Sequence, residues 1–191
     1  MEIRVNLALI AFVALVWLGL YAQTPARIGD AHDMAQLGQL EDDAARRPSD
    51  PKALVSLTDR YVATGFPALA IAVIRSAPAE VLEQPAVSHQ LARAYEASGR
   101  LLDALATADL ALTRCARVLG ARAFETAVPR FACNEHTLAK LDMHKGALER
   151  MARWGVVDPR VDPRAQRAYD LALRRARIAV GELPSTGERN P

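Results

Sequence analysis

Hydrophobic residues recur along most of this chain at the spacing of helix faces. The first clear case is residues 33–46, where Met34, Leu37, Leu40 and Ala44 fall on one side of a helix that Pro48 would end. The same reasoning predicts helices over 51–64, 67–78, 86–98, 101–118, 133–154 and 163–180, with a loop around 79–84. No segment alternates as a strand does, so the sequence predicts an all-α fold.

One stretch repeats its own pattern 34 residues later. Each copy carries a leucine and a tyrosine one helical turn apart, then a glycine, then small residues: Leu57, Tyr61, Gly65, Ala70, Ala72 and Ala77, matched by Leu91, Tyr95, Gly99, Ala104, Ala106 and Ala111. The glycine is suited to a helix end, and alanines let two helices approach closely. A fixed period of this length is typical of stacked helical repeats.

This pattern resembles the tetratricopeptide repeat (TPR), a helical hairpin of the same length. The resemblance covers residues 51–118, although Leu54 and Ser88 stand where the family usually has an aromatic residue. It implies a short α-solenoid of two to three TPR-like hairpins. Residues 119–180 would hold an insert and a degenerate third hairpin that turns at Gly155. The alternative is a non-repetitive helical bundle.

Residues 5–22 contain no charged side chain and are long enough to cross a bilayer as a helix. We expect a transmembrane signal anchor, with residues 1–4 in the cytoplasm and the remainder exported. The expected location is therefore the bacterial inner membrane, with a single span and the domain facing the periplasm. A cleaved signal peptide ending near Ala22 and a buried core helix are the alternatives.

The remaining segments frame the repeats. Residues 23–50 are predicted to form a linker and a capping helix, and residues 181–191 a disordered tail. Charge is uneven, since residues 30–59 have seven acidic against three basic side chains, whereas residues 111–180 have fourteen basic against seven acidic. The formal net charge is only +2, so nothing indicates nucleic-acid binding.

Cys115 and Cys133 are the only cysteines. In an exported domain they are candidates for one disulfide, which would close the irregular insert between them. Two free buried thiols are the alternative. Together with His136 and His144 they could also form a metal site, but the spacing lacks a paired motif and we expect no metal and no cofactor. No catalytic motif is present, so the chain is not expected to be an enzyme.

The resemblance to TPRs implies that the first helix of each hairpin lines a concave groove. The implied partner-binding residues are Lys52, Val55, Asp59 and Val62 from the first copy and His89, Arg93 and Glu96 from the second. Asp59 and Arg93 occupy equivalent positions and have opposite charge, so they could bind a partner or simply pair with each other.

The sequence therefore favours a membrane-anchored, non-catalytic adaptor or scaffold that holds another protein or peptide in this groove. An exported soluble TPR module, released by signal cleavage, is the first alternative. A redox or metal-binding protein that uses the cysteines and histidines is a second. A structural component that self-associates through its acidic and basic halves is a third.

Overall fold

The structure, a computed structural model, describes residues 31–121 and 133–179. Every regular element in these ranges is a helix, which confirms the all-α prediction for this part of the chain. The helices are α1 Ala31–Arg46, α2 Pro51–Ala63, α3 Pro67–Arg75, α4 Ala79–Leu82, α5 Pro85–Ala97, α6 Leu101–Ala121, α7 Glu135–Arg153 and α8 Pro163–Ala179.

Proline begins four of these helices, because its fixed φ suits the first turn and its missing N–H would be unbonded there. Pro51, Pro67, Pro85 and Pro163 each open a helix. Side chains cap three of the starts, and at α8 the Asp162 carboxylate accepts the N–H of Arg164 at 2.9 Å. The Asp50 carboxylate accepts the N–H of Lys52 at 2.9 Å, and the Asn134 side chain accepts the N–H of Thr137 at 2.7 Å.

The same turn ends α2, α5 and α7. Gly65, Gly99 and Gly155 have φ of 85°, 77° and 66°, the left-handed region that glycine enters without strain. After each glycine, the next N–H donates to the carbonyl five residues back, at 2.7 Å, 2.9 Å and 3.0 Å respectively. These are Schellman turns, which satisfy carbonyls that the helix end would leave unbonded. Three helices therefore end by one local mechanism.

The turn at Gly99 is also a contact point. A β-carbon added there would lie 3.0 Å from Oδ1 of Asp158 and 3.2 Å from a guanidinium nitrogen of Arg160. At Gly155 an added β-carbon would meet nothing within 4 Å. The loop before α8 thus packs on the turn between α5 and α6, and glycine leaves room for it.

Three helical hairpins follow α1 in the described residues. They are α2 with α3, α5 with α6, and α7 with α8, and each hairpin contacts the next through α2 against α5, α3 against α5, and α6 against α7. Helix α1 packs on α2 at one end of the row. The main core runs through all three hairpins and includes Leu57, Tyr61, Tyr95, Leu148 and Met151.

Only some of the repeated alanines lie between closely packed helices, as the sequence predicted for all of them. Ala70, Ala104 and Ala111 are fully buried, which places small side chains between packed helices. Ala72 and Ala106 are exposed, so their role in close packing was a wrong prediction. They lie two residues after Ala70 and Ala104, which is more than half a turn round the helix.

Two further details differ from the sequence prediction. Residues 79–84 were expected to be a loop, but Ala79–Leu82 form one helical turn, and the side chain of its Val81 is buried. Helix α3 ends at Arg75 and not at residue 78, since Ala77 and Pro78 enter this turn. Proline pushes the residue before it out of the helical region, which accounts for the early end.

Cys115 on α6 and Cys133 before α7 are joined in a disulfide with Cα atoms 5.4 Å apart. Both cysteines are buried, in a small cluster with Ala111 and Leu141. The bridge therefore fixes the start of the third hairpin to the second. The predicted anchor at residues 5–22 and the predicted tail at 181–191 lie outside the described residues. Among the helices within 31–121 and 133–179, none combines the length and hydropathy of a membrane span.

Candidate functional site

A polar cleft lies where α2, α5, α7 and α8 come together. Its volume is about 390 Å³. We call it the polar cleft and define it by its lining residues: Asp59, His89, Arg93, Glu96, Lys140, Met143, His144 and Tyr169. Four helices from all three hairpins contribute, so the cleft exists only when the hairpins are assembled.

The Glu96 carboxylate is the centre of the cleft's hydrogen bonding. The Tyr169 hydroxyl donates to it, lying 2.7 Å from both carboxylate oxygens. Nε2 of His144 lies 3.0 Å from Oε2 of the same group. One carboxylate on α5 thus holds a side chain from α7 and another from α8. Burial and then the Glu96 charge raise the pKa of Tyr169, so the phenol keeps its proton.

His144 is buried, and both of its ring nitrogens are occupied. Nδ1 lies 3.1 Å from Nε2 of His89, with the two rings edge to face. Because an ionised carboxylate can only accept, His144 donates from Nε2 to Glu96, and its Nδ1 accepts from His89 when the ring is neutral. The resulting chain runs from His89 through His144 to Glu96.

His89 is held in its neutral form. Burial, followed by the neighbouring His144 and the cations Arg93 and Lys140, lowers the pKa of His89 to about 3, against an opposing contribution from Asp59. A protonated His89 would place a third cation beside Arg93 and Lys140. At physiological pH the neutral His89 ring therefore forms a hydrogen-bonding contact with His144, between α5 and α7.

An exposed ion pair forms the outer edge of the cleft. Arg93 binds Asp59, and Nε2 of Gln90 donates to the same carboxylate at 3.2 Å. Partial burial opposes ionisation of Asp59, but the hydrogen bonds from Arg93 and Gln90 keep its pKa below the usual value. From the sequence, Asp59 and Arg93 could either bind a partner or pair with each other, and in this structure they pair.

The structure divides the predicted groove residues into two groups. Asp59, His89, Arg93 and Glu96 line the cleft together. The remaining three lie elsewhere. Val55 and Val62 are half-buried against hydrophobic clusters, and Lys52 is exposed in the first turn of α2.

Sequence reasoning missed His144 and Tyr169 as members of this site. A signal for His144 was present, because it precedes Gly155 by the interval that separates Leu54 from Gly65 and Ser88 from Gly99. All three of these positions are buried. The register therefore marks position 144 as inward-facing, where a histidine needs partners.

The side chains that line the cleft can donate and accept hydrogen bonds. Within the described residues, no group of three or more His, Cys, Asp or Glu side chains could hold a metal ion. The disulfide takes up both thiols of the metal set considered from sequence, and His136 is exposed. The chain matches no protein-family profile, no curated protein and no solved structure.

Proposed function

We propose that this chain is a non-catalytic, TPR-like adaptor that holds another protein in its polar cleft. The observation that carries the proposal is the convergence of Asp59, Arg93, Lys140 and the Glu96 network in one cleft built from all three hairpins. Exposed charges and hydrogen-bonding groups beside a half-buried methionine suit a polypeptide, which presents both kinds of group.

The helix pairs support a repeat architecture. Three hairpins in a row end their first helices with the same turn at Gly65, Gly99 and Gly155. Tyr61, Tyr95 and Met151 each lie four residues before these glycines, and all three are buried. Stacked repeats of one hairpin would give matching residues of each hairpin similar surroundings, as seen here. Such repeat proteins commonly bind peptides along one face.

The Asp59–Arg93 ion pair does not block this surface. Its side chains are 52% and 39% exposed, and exposed pairs of this kind contribute about 0–1 kcal/mol. A partner that offers its own charges can replace the pair at little cost. Because the cleft is small, we expect affinity on the order of micromolar, or about −8 kcal/mol.

Membrane anchoring would make such affinity sufficient. The uncharged segment 5–22 is the proposed single span, with the helical domain in the periplasm of a bacterium. The Cys115–Cys133 bridge supports an exported location, because disulfides persist in oxidising compartments. Anchoring raises the effective concentration of a membrane-bound partner, so weak binding becomes productive.

The test is affinity capture from native membranes with three forms of the full chain. Arg93→Asp combined with Asp59→Arg keeps the ion pair but reverses its direction, so the fold should hold while recognition fails. Arg117→Glu is the matched control, since Arg117 is an exposed arginine that does not line the cleft. We expect one reproducible protein with the wild type and the control, and its loss with the charge swap.

An unchanged set of captured proteins in the charge-swapped form would contradict a role for the cleft. Intact-mass measurement of the membrane-derived chain tests the anchor separately. A mass that lacks the first 22 or so residues would replace the anchored adaptor with the exported soluble module, without affecting the argument for the cleft.

A further inference from the structure

Two grooves on another face of the hairpins repeat each other. The first groove, of about 320 Å³, is lined by Leu54, Leu57, Val73, Ser76 and other residues between Glu41 and Pro78. The second groove, of about 280 Å³, is lined by Ile74, Arg75, Leu82, Val87, Ser88, Leu91, Thr107, Leu110 and Arg114. Ser88, Leu91, Thr107 and Leu110 follow the four named residues of the first groove by 34 positions. Each of the first two hairpins therefore presents one groove of this kind.

The grooves are separate from the polar cleft. No residue lines both the cleft and either groove. On α5, Leu91 of the second groove is two residues from both His89 and Arg93, which places it about 200° round the helix from each. A segment bound in the second groove therefore approaches α5 from the side away from the cleft.

The two grooves differ in how their arginines are neutralised. In the first groove, Arg47 forms ion pairs with Asp43 and Asp50, and a carboxylate from Glu41 also lines the wall. The second groove is lined by Arg75 and Arg114 and by no acidic side chain. Neither arginine forms an ion pair with a residue that the structure describes. Arg114 donates instead to the Leu82 carbonyl and the Ser88 hydroxyl, both at 2.6 Å.

The walls of the second groove are mostly hydrophobic. Ile74 and Val87 are buried at its base, and Leu110 stands at its edge with 44% of its surface exposed. A concave apolar surface that carries two arginines, neither paired with an acidic side chain in the part of the chain that the structure describes, fits an apolar side chain and a carboxylate from the same segment. A planar lipid headgroup layer would contact the arginines but would leave the concave apolar base unfilled.

We propose that the second groove is a docking site for an acidic amphipathic helix of a partner protein. A leucine-like side chain enters between Leu82, Leu91 and Leu110, and a glutamate-like carboxylate binds the guanidinium groups of Arg75 and Arg114. The first groove does not take this segment, because its own carboxylates already neutralise Arg47 and would repel another acid. The adaptor thus has a second binding surface, which can be tested without reference to the polar cleft.

The probe is a fluorescent synthetic helix with leucine on one face and glutamate on the other. Its binding to the full chain in zwitterionic nanodiscs is measured by fluorescence anisotropy, with empty nanodiscs as the blank. Arg75→Glu and Leu110→Asp alter the second groove, whereas Arg47→Glu and Ser76→Asp are the matched changes in the first. We expect the second-groove variants to weaken binding by about tenfold or more, and the first-groove variants to leave it within about twofold.

A second peptide, with lysine in place of glutamate and the same leucines, keeps the test valid if a variant is poorly folded. Arg75→Glu should bind this peptide more tightly than the wild type does, a gain that unfolding cannot produce. The proposal is overturned if the glutamate peptide does not bind, or if the lysine peptide binds the wild type equally well. It is overturned too if the variants of the first groove weaken binding of the glutamate peptide as much as those of the second. It is also overturned if Arg75→Glu weakens binding to anionic vesicles but not to the peptide, because the groove would then face lipid.

Discussion

Removing the Glu96 carboxylate tests whether it holds the three hairpins together. In Glu96→Ala, the Tyr169 hydroxyl loses its acceptor and His144 loses the partner of Nε2. Hydrogen bonds to a charged group are worth about 1.5–3 kcal/mol each, and releasing a partly buried carboxylate from desolvation returns some of that. We expect the free energy of unfolding to fall by about 2–4 kcal/mol.

Glu96→Gln should lower the free energy of unfolding much less, because His144 can change its tautomer to suit the glutamine side chain. The glutamine carbonyl can still accept from Tyr169, while its amide donates to Nε2 of His144. His144 then carries its proton on Nδ1 and donates to His89, so the chain of hydrogen bonds survives with its direction reversed. We expect a loss of about 1 kcal/mol, since the charge is gone but each buried group keeps a partner.

The assay is urea unfolding of the full chain, followed by far-ultraviolet circular dichroism, for the wild type, both Glu96 variants, Tyr169→Phe and the double variant Glu96→Ala/Tyr169→Phe. The double-mutant cycle should give a coupling energy between Glu96 and Tyr169 of about 1–2 kcal/mol. Equal losses for the alanine and glutamine variants, or a coupling energy near zero, would refute the reasoning. Equal losses would mean that the charge of Glu96 is what matters or that neither interaction does, and a coupling energy near zero would mean that the contact between Glu96 and Tyr169 does not position α8.

Three further predictions concern other parts of the same assembly. The pKa of His89 is lowered from 6.5 to about 3, so between these pH values the unfolded chain binds more protons than the folded one. Lowering the pH from 7 to 5 should therefore reduce the free energy of unfolding by about 2 kcal/mol. Urea unfolding at several pH values should show that His89→Gln removes this dependence. Reducing the Cys115–Cys133 bridge, or replacing both cysteines with alanine, should lower the free energy of unfolding by about 3 kcal/mol, because the unfolded chain gains loop entropy. The measurement is the midpoint of urea unfolding, and an unchanged midpoint would argue against the bridge in solution. Gly155→Ala should lower the free energy of unfolding by about 1 kcal/mol, because alanine is strained at its positive φ. Gly99→Ala should lower it by clearly more, because the added β-carbon also contacts the loop before α8. Equal losses measured by calorimetry would show that this loop moves aside without cost.

Local chemistry explains which parts of the fold could be predicted from sequence. Helix starts at Pro51, Pro85 and Pro163 and ends near Gly65 and Gly99 follow from the conformations of single residues, so most helix bounds lie within a few residues of the prediction. The positions that failed depend on neighbours from other helices. Helix α4, for example, places its own Val81 in a buried cluster with residues of three other helices, and the sequence of α4 alone does not predict that contact.

The site was less predictable than the helices because its residues are distant in sequence. Glu96 meets His144 and Tyr169, which lie 48 and 73 residues further along the chain. The interval from Gly99 to Gly155 is longer than the 34 residues of the repeat, so the offset that aligned Asp59 with Arg93 does not carry into the third hairpin. The resemblance to TPRs could place four cleft residues, but it could not say what would face them from α7 and α8.

The placement of polar groups in this core is itself an argument for function. His144 precedes Gly155 by the interval that places Leu54 and Ser88 before their glycines, and all three residues are buried, so an apolar side chain could fill position 144. The third hairpin instead has a histidine, which is satisfied only because Glu96 and His89 meet it. A buried polar network adds little net stability over apolar packing, but it fails unless every member is correctly placed. This network therefore fixes the position of α7 and α8 relative to α5, and with it the shape of the cleft that a partner would meet.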